Sequence, residues 1–278
     1  MRIGLWMMGL SGIFLFGCAE NGLDFTEDVL EVGDALVEGN KLSSNALALN
    51  SLALNGIALN GLALNAMDPR SLAAIQDPTD RGALARAFVR YATGCALTPS
   101  QSFSFTWTDA TSVVHHETYP GELGVAPAWA TGPLDLNGQR MVSACVAARV
   151  NYYEVPVLLS LRSVEYSLRL LSGSQELIDF PHVEGAFWGN LWGVSPVIYA
   201  CYNSATVANS RAWSRDCATG HVRDDGTIEE CGMIDVVGPC STVCASLNGG
   251  GQYYPFCVEK PYSAGNANTK LVVTTALP

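Results

Sequence analysis

GAFWGNLWGVSPVIYACYN, residues 185–203, holds two runs of apolar and small residues without a single charge. GAFWGNLW (185–192) and PVIYACYN (196–203) have strand length and little polar alternation, which predicts strands buried in a sheet. VPVLLSLRS (155–163) reads the same way, and KLVVTTAL (270–277) reads as a last strand. FSFTWT (103–108) alternates as a strand should, with TSVVHHETY (111–119) as its partner after a turn at Asp109-Ala110. Asp80 reads as an N-cap for RGALARAFVRYATG, where Leu84, Phe88, Tyr91 and Cys95 share one helical face and Gly94 supplies a stop. After Gly132-Pro133, LNGQRMVSACVAARVNY predicts a second helix with Met141, Cys145 and Ala148 on one face and Arg140 and Arg149 off it. Its Ala-rich face implies close packing. Helices early, strands after and cysteine-rich loops late predict an α+β fold: a single domain over residues 68–278 with a mostly β core and two or more helices.

Composition bounds the function. The chain has 278 residues, 49 % of them hydrophobic and 15 % charged, values of a folded protein rather than a disordered one. A net charge of −11 with no basic patch argues against nucleic acid as a partner. Residues 19–67 hold seven acids against one base, so the segment nearest the N-terminus is the strongly acidic one.

The first residues, MRIGLWMMGLSGIFLFGC, set one Arg before an apolar run that falls short of the ~20 residues needed to span a bilayer. The ending Leu15-Phe16-Gly17-Cys18 resembles the lipobox of bacterial lipoprotein signal peptides. That resemblance implies a signal peptide over residues 1–17, lipidation of Cys18, and attachment to the membrane through the lipid anchor. Ala19 in place of an aspartate after the cysteine favours the outer membrane within that family. Acyl chains contribute about 0.8 kcal/mol per buried CH₂, so such an anchor holds practically permanently. Residues 18–39 read as an acidic spacer, solvated or transiently helical, in which acids are interspersed with Leu, Val and Phe.

Setting Cys18 aside leaves Cys95, Cys145, Cys201, Cys217, Cys231, Cys240, Cys244 and Cys257, an even count that reads as disulfides in an exported chain. Spacing alone does not choose their connectivity. Cys95 and Cys145 stand apart, each on a predicted helix, and pair best with each other; the other six imply a stapled, loop-rich region.

Residues 40–67 repeat with a period of five: Asn40, Asn45, Asn50, Asn55, Asn60 and Asn65, each followed two residues later by Leu42, Leu47, Leu52, Ile57, Leu62 or Met67. That period sprays leucines around an α-helix and swaps faces in a strand, so a turn at each Asn followed by extended Leu-Ala-Leu fits better. The stretch resembles pentapeptide-repeat proteins, which implies a narrow coil, although here Gly or Ser separates Asn from Leu. Too short to cover its own apolar face, it packs on the domain, serves as a tether or self-associates.

QRMVSACVAARVN with EGAFWGNLW is similar to a set of exported, cysteine-rich bacterial proteins, many of them lipoproteins with Asn-Gly or Leu-Asn repeats before the domain. The resemblance carries no catalytic residue. Chemistry has few candidates of its own. Of the four histidines, His115 and His116 point to opposite faces of a strand, while His182 with Glu184, completed by His115 or His221, is the one set resembling a zinc site; no HExxH supports it. Cys231, Cys240, Cys244 and Cys257 suit disulfides better than zinc. Asp179 and Glu184 flank Pro181-His182-Val183 at a spacing that could suit a glycosidase pair, and no G-x-S-x-G, P-loop or dinucleotide fingerprint occurs. Trp188, Trp192, Tyr253 and Tyr254 lie near glycines and are the candidate binding surface, either for a glycan or protein ligand or, alternatively, as core. The expectation is a lipid-anchored envelope protein with a binding or structural domain and no cofactor; the alternative is an exported hydrolase, possibly metal-dependent, on His182 and Glu184.

Overall fold

The computed structural model describes residues 30–32, 35–47, 56–212, 214–265 and 267–278, with backbone alone for residues 30–40 and 228. Cys18, the expected signal peptide and the middle of the repeat lie outside the described residues. In chain order come strands β1 (Leu30–Val32) and β2 (Ala35–Asn40), helices α1 (Pro69–Gln76) and α2 (Asp80–Ala96), and the hairpin of β3 (Ser102–Thr108) and β4 (Val114–Pro120). Helix α3 (Leu136–Ala148), strand β5 (Val157–Arg162), the one-turn helix α4 (Glu176–Asp179), strands β6 (His182–Asn190) and β7 (Val197–Tyr202), and helix α5 (Val207–Ala212) follow. The last third holds β8 (His221–Val222), β9 (Ile228–Glu229), β10 (Ile234–Pro239), the one-turn α6 (Cys240–Val243), β11 (Cys257–Val258), β12 (Asn268–Thr269) and β13 (Val273–Leu277).

The fold is α+β. Its main sheet runs β1-β2-β5-β13-β6-β7-β10, antiparallel throughout except for the parallel pair β7 and β10. The C-terminal strand β13 thus sits at the centre, bonded to β5 on one side and β6 on the other. Successive residues of β6 serve two different cores. Phe187 faces a helix-side core with Ile198, Ala200, Val273 and Leu277, where α3 lies across β6 and β13 and packs on α2. Trp188 faces a second core with Tyr199, Cys201, Val272 and Ala276, closed by Cys240, Tyr254 and Cys257 from the C-terminal loops. A sheet covered on both faces selects apolar residues at consecutive positions, which is why the two runs of residues 185–203 show no polar alternation.

The helices differ from expectation at their ends. Thr79, not Asp80, occupies the N-cap of α2, and Asp80 is its first-turn acid, where a carboxylate favours the helix dipole. Gly94 does not stop the helix, which runs on to Ala96. It is there for close approach: a Cβ would fall 2.2 Å from Glu122 Oε2 and 2.9 Å from Arg149 Nη1. Arg149, read as lying off the buried face, is the C-cap of α3 and only 1 % exposed. Its Nη1 donates to Glu122 Oε2 at 3.1 Å and its guanidinium lies over Tyr91. Asp135 caps the start of α3 by accepting from the Gly138 N–H at 2.7 Å.

The folded body begins well before Asp68, and residues 35–40 are a sheet strand paired with β5 rather than a solvated spacer. In the described part of the repeat, the residue two after Asn is buried each time: Leu42, Leu47, Ile57, Leu62 and Met67. The second apolar position, Leu59 and Leu64, is exposed. Instead of extended Leu-Ala-Leu, residues Ile57–Leu59 form a 3-10 turn. Trp129 holds that turn, donating its buried indole N–H to the carbonyls of Ile57 and Asn60, each at 3.2 Å. Gly61 follows its Asn because a Cβ there would come within 2.7 Å of the Thr131 backbone.

Cys95–Cys145 joins α2 to α3 as expected, and the remaining bridges are Cys201–Cys240, Cys217–Cys231 and Cys244–Cys257. Among the described residues no helix is long and apolar enough to cross a membrane.

Candidate functional site

A cleft of about 340 Å³ opens where the β6–β7 hairpin meets the loop between β11 and β12. The hairpin supplies Trp188, Asn190, Ser195 and Tyr199, α3 supplies Arg140, and the chain after β11 supplies Glu259 and Lys260. Arg140 sits one turn into α3 on the side away from the core, and Nη2 reaches Glu259 Oε1 at 2.6 Å with both side chains about a quarter exposed. Asn190 is fixed from two directions: Oδ1 accepts from the Trp192 N–H at 2.9 Å, and Nδ2 donates to Gln139 Oε1 at 3.3 Å. Trp188 and Tyr199 pack at 5.8 Å between ring centres beneath the cleft, both buried, and Tyr199 meets Tyr262 edge to face at 6.2 Å. The indole Nε1 of Trp188 is buried and has no hydrogen-bond partner. Tyr262 donates its hydroxyl to Asp235 Oδ1 at 2.9 Å, and partial burial together with that carboxylate pushes its pKa up to about 12. The cleft therefore offers a polar rim of charge, amide and hydroxyl over an apolar floor, with no histidine in its lining.

The aromatic surface expected from the sequence is mostly interior. Trp188, Trp192 and Tyr254 are buried and Tyr253 is half-buried, because helices cover one sheet face and the cysteine loops the other. Trp192 packs edge to face on Phe88 and Trp129 in the helix-side core, so it shares no surface with Trp188. Only Trp188 of the four lines the cleft.

The histidines do not converge. His182 opens β6, and Glu184 two residues on is completely buried. A bulge opposite β13 shifts the register there, so Val183 and Ala186 both face the cysteine side while Glu184 turns to the helix side. Both its oxygens are taken: Oε2 accepts from Arg215 Nε at 2.9 Å and Thr275 Oγ1 at 2.7 Å, and Oε1 accepts from Ser210 Oγ at 2.7 Å. Arg215 also donates to the Val150 and Ala148 carbonyls at the end of α3. Glu184 is a structural carboxylate, fully buried and held by three hydrogen bonds, one of them from an arginine. His116 is exposed on β4, and His115 beside it stacks on Trp107 at 4.3 Å, whose other face meets the Arg86 guanidinium at 3.6 Å. His115 Nε2 lies 2.9 Å from Asp109 Oδ2; that contact first, then the Val113 and Thr111 donors, hold the Asp109 carboxyl well below its usual range.

His221 belongs to a cluster that sequence reasoning missed. Its ring stacks on Tyr152 at 4.2 Å, and Nδ1 lies 3.0 Å from Asp216 Oδ2 and 3.3 Å from the Tyr153 hydroxyl. Tyr153 also donates to Asp216 at 2.9 Å, and burial with that carboxylate pushes its pKa up to about 12. The only sign in the sequence is the pair Tyr152-Tyr153 just past α3; their partners lie more than sixty residues away. Among the described residues, Cys201, Cys240 and Cys244 are the one grouping with metal-ligand proximity, and all three sulfurs are spent in disulfides.

Compared with known proteins, the chain matches no family model, no curated protein and no solved structure.

Proposed function

We propose that the chain is an exported protein held to the cell envelope through a lipidated Cys18, and that its disulfide-stapled domain binds a glycan in the cleft beside Trp188. Support for export comes from the lipobox-like Leu15-Phe16-Gly17-Cys18 and from four disulfides, which persist in oxidising compartments. The observation that carries the binding reading is the cleft itself, which Arg140, Glu259, Lys260, Asn190 and Ser195 line with polar groups. Sugar hydroxyls ask for such a rim of charge, amide and hydroxyl to hydrogen-bond, while Trp188, fully buried beneath it, offers no stacking face.

The test is titration of the mature chain with soluble neutral, amino-sugar and acidic oligosaccharides, followed by tryptophan fluorescence and calorimetry. One class is expected to saturate, with Arg140→Ala and Lys260→Ala each weakening it by roughly tenfold or more, since a hydrogen bond to a charged group contributes about 1.5–3 kcal/mol. Absence of saturable binding, or binding indifferent to both substitutions, rules the glycan reading out.

A further inference from the structure

Two disulfides lie against each other on the face of the sheet opposite the helices. Cys201 of β7 is bonded to Cys240 at the start of α6, and Cys244, one turn later, is bonded to Cys257 of β11. The Sγ atoms of Cys201 and Cys244, which belong to different bridges, are 3.6 Å apart, and those of Cys201, Cys240 and Cys244 all lie within 4.8 Å of one another. Exposure separates the four: Cys201, Cys240 and Cys257 are buried at 0–1 %, whereas Cys244 is half-buried between the exposed Thr242 and Ser246. The Cys244 N–H donates to the Cys240 carbonyl at 2.8 Å, so α6 holds both of its cysteines at this distance.

We propose that these four cysteines form a thiol–disulfide exchange site that takes two electrons from an external dithiol at Cys244 and passes the reduction inward to Cys240. A thiolate of the dithiol attacks Cys244 Sγ; the Cys244–Cys257 bond breaks and Cys257 leaves as a thiolate that takes a proton. The second thiol of the dithiol then attacks its own partner sulfur, so the dithiol leaves as a disulfide and Cys244 is released as a thiolate. That thiolate is already in contact with Cys201 Sγ. It forms the Cys201–Cys244 bond, the Cys201–Cys240 bond breaks, and Cys240 leaves as a thiolate and is protonated. In balance, two bridges and one dithiol become one bridge, two protein thiols at Cys240 and Cys257, and one oxidised dithiol. Cys257 has no such contact with Cys201, so the direction is set by which sulfur meets solvent and which meets the second bridge.

The other two bridges lack this arrangement. Cys95–Cys145 and Cys217–Cys231 are each buried at 0–1 %, and among the described residues no third cysteine stands with either of them at metal-ligand distance. The exchange is therefore local to the layer beneath β7.

The experiment treats the oxidised, mature chain with a limiting amount of dithiothreitol, quenches it in acid, alkylates it, and locates bridges and alkylated sites by fragment-ion mass spectrometry. The expected two-electron product carries alkyl groups on Cys240 and Cys257 and a Cys201–Cys244 bridge. A product alkylated on Cys244 and Cys257 with Cys201–Cys240 intact overturns the proposal. Two variants separate exchange from general loosening. In Cys257→Ser the free Cys244 is expected to give a mixture of Cys201–Cys240 and Cys201–Cys244 bridges, whereas in Cys244→Ser the free Cys257 leaves Cys201–Cys240 alone. A Cys257→Ser protein holding only Cys201–Cys240 also overturns it.

Discussion

Arg215 Nε donates to Glu184 Oε2 at 2.9 Å, and neither side chain has any solvent exposure. The pair ties the bulge of β6 to the segment after α5, and through the Ala148 and Val150 carbonyls it also fixes the end of α3. Removing one partner leaves the other charge buried and alone. Arg215→Ala is expected to cost about 3–5 kcal/mol of unfolding free energy. Glu184→Gln also leaves the Arg215 charge without its counter-charge, and is expected to cost less only by the cavity that Arg215→Ala opens in addition. Urea denaturation of both variants checks the order; equal and small losses would mean that the pair contributes little.

The bridges rank by the chain they close. Cys95–Cys145 closes 50 residues and Cys217–Cys231 closes 14. On the chain-entropy account the double alanine variants lose about 4 and about 3 kcal/mol respectively. Denaturation midpoints of the two variants, compared at equal slope, test the ranking; a larger loss at Cys217–Cys231 would show that native packing outweighs loop length.

Gly94→Ala reverses the usual sign of a helix glycine substitution. In an exposed helix the change gains about 1 kcal/mol. Here the new methyl would meet Glu122 2.2 Å away and press on the carboxylate that Arg149 holds. A loss of about 1–3 kcal/mol is expected, the range for overpacking. Thermal unfolding decides, and a stabilised variant would mean that the Glu122 loop moves aside freely.

How much of this could be read beforehand follows from range. The strands over residues 185–203 are legible because burial on both faces leaves a local mark, and Cys95 with Cys145 are legible because each lies on the packed face of a helix. The exposure of Trp188 is not: glycine-flanked aromatics look alike whether loops cover them or solvent does, and the cover here arrives from Cys240 to Cys257. Arg149 misleads because it stands at a C-cap, where the helical wheel no longer tells which way a side chain points. The Tyr152, Tyr153, Asp216 and His221 cluster and the Arg140–Glu259 pair at the cleft join residues far apart in sequence, and no spacing rule reaches them.

Glu176 gives the stability a pH dependence. It is fully buried, and neither carboxylate oxygen closes a hydrogen bond of normal geometry. Burial raises its pKa above the ordinary 4.5, with nearby Ser160 and Arg162 offsetting only part of the effect. The native state then keeps the proton to higher pH than the unfolded chain does. This contribution to stability is fully present below the unfolded value and is lost as pH rises through the raised native one. Glu176→Gln removes the dependence, so its advantage over the wild type should be larger at about pH 7.5 than at about pH 4. Urea midpoints at the two values test this, and a constant difference would show that Glu176 ionises normally.

The described part of the repeat belongs to the core, and a fragment starting at Asp68 should show it. Leu42, Leu47, Ile57 and Leu62 are each at most 2 % exposed, and the turn they frame receives the indole N–H of the buried Trp129. Burial of such side chains contributes about 1.5–3 kcal/mol each, or about 6–12 kcal/mol for the four. That approaches the whole of a domain's stability, about 5–15 kcal/mol. The fragment 68–278 would in addition leave Trp129 facing water and β5 without its β2 neighbour. It is expected to unfold without a cooperative transition, or at a midpoint far below that of the mature chain, with the Trp129 emission shifted to the red. A fragment as stable as the mature chain, with unshifted emission, would mean that residues 35–67 only rest on a core complete without them.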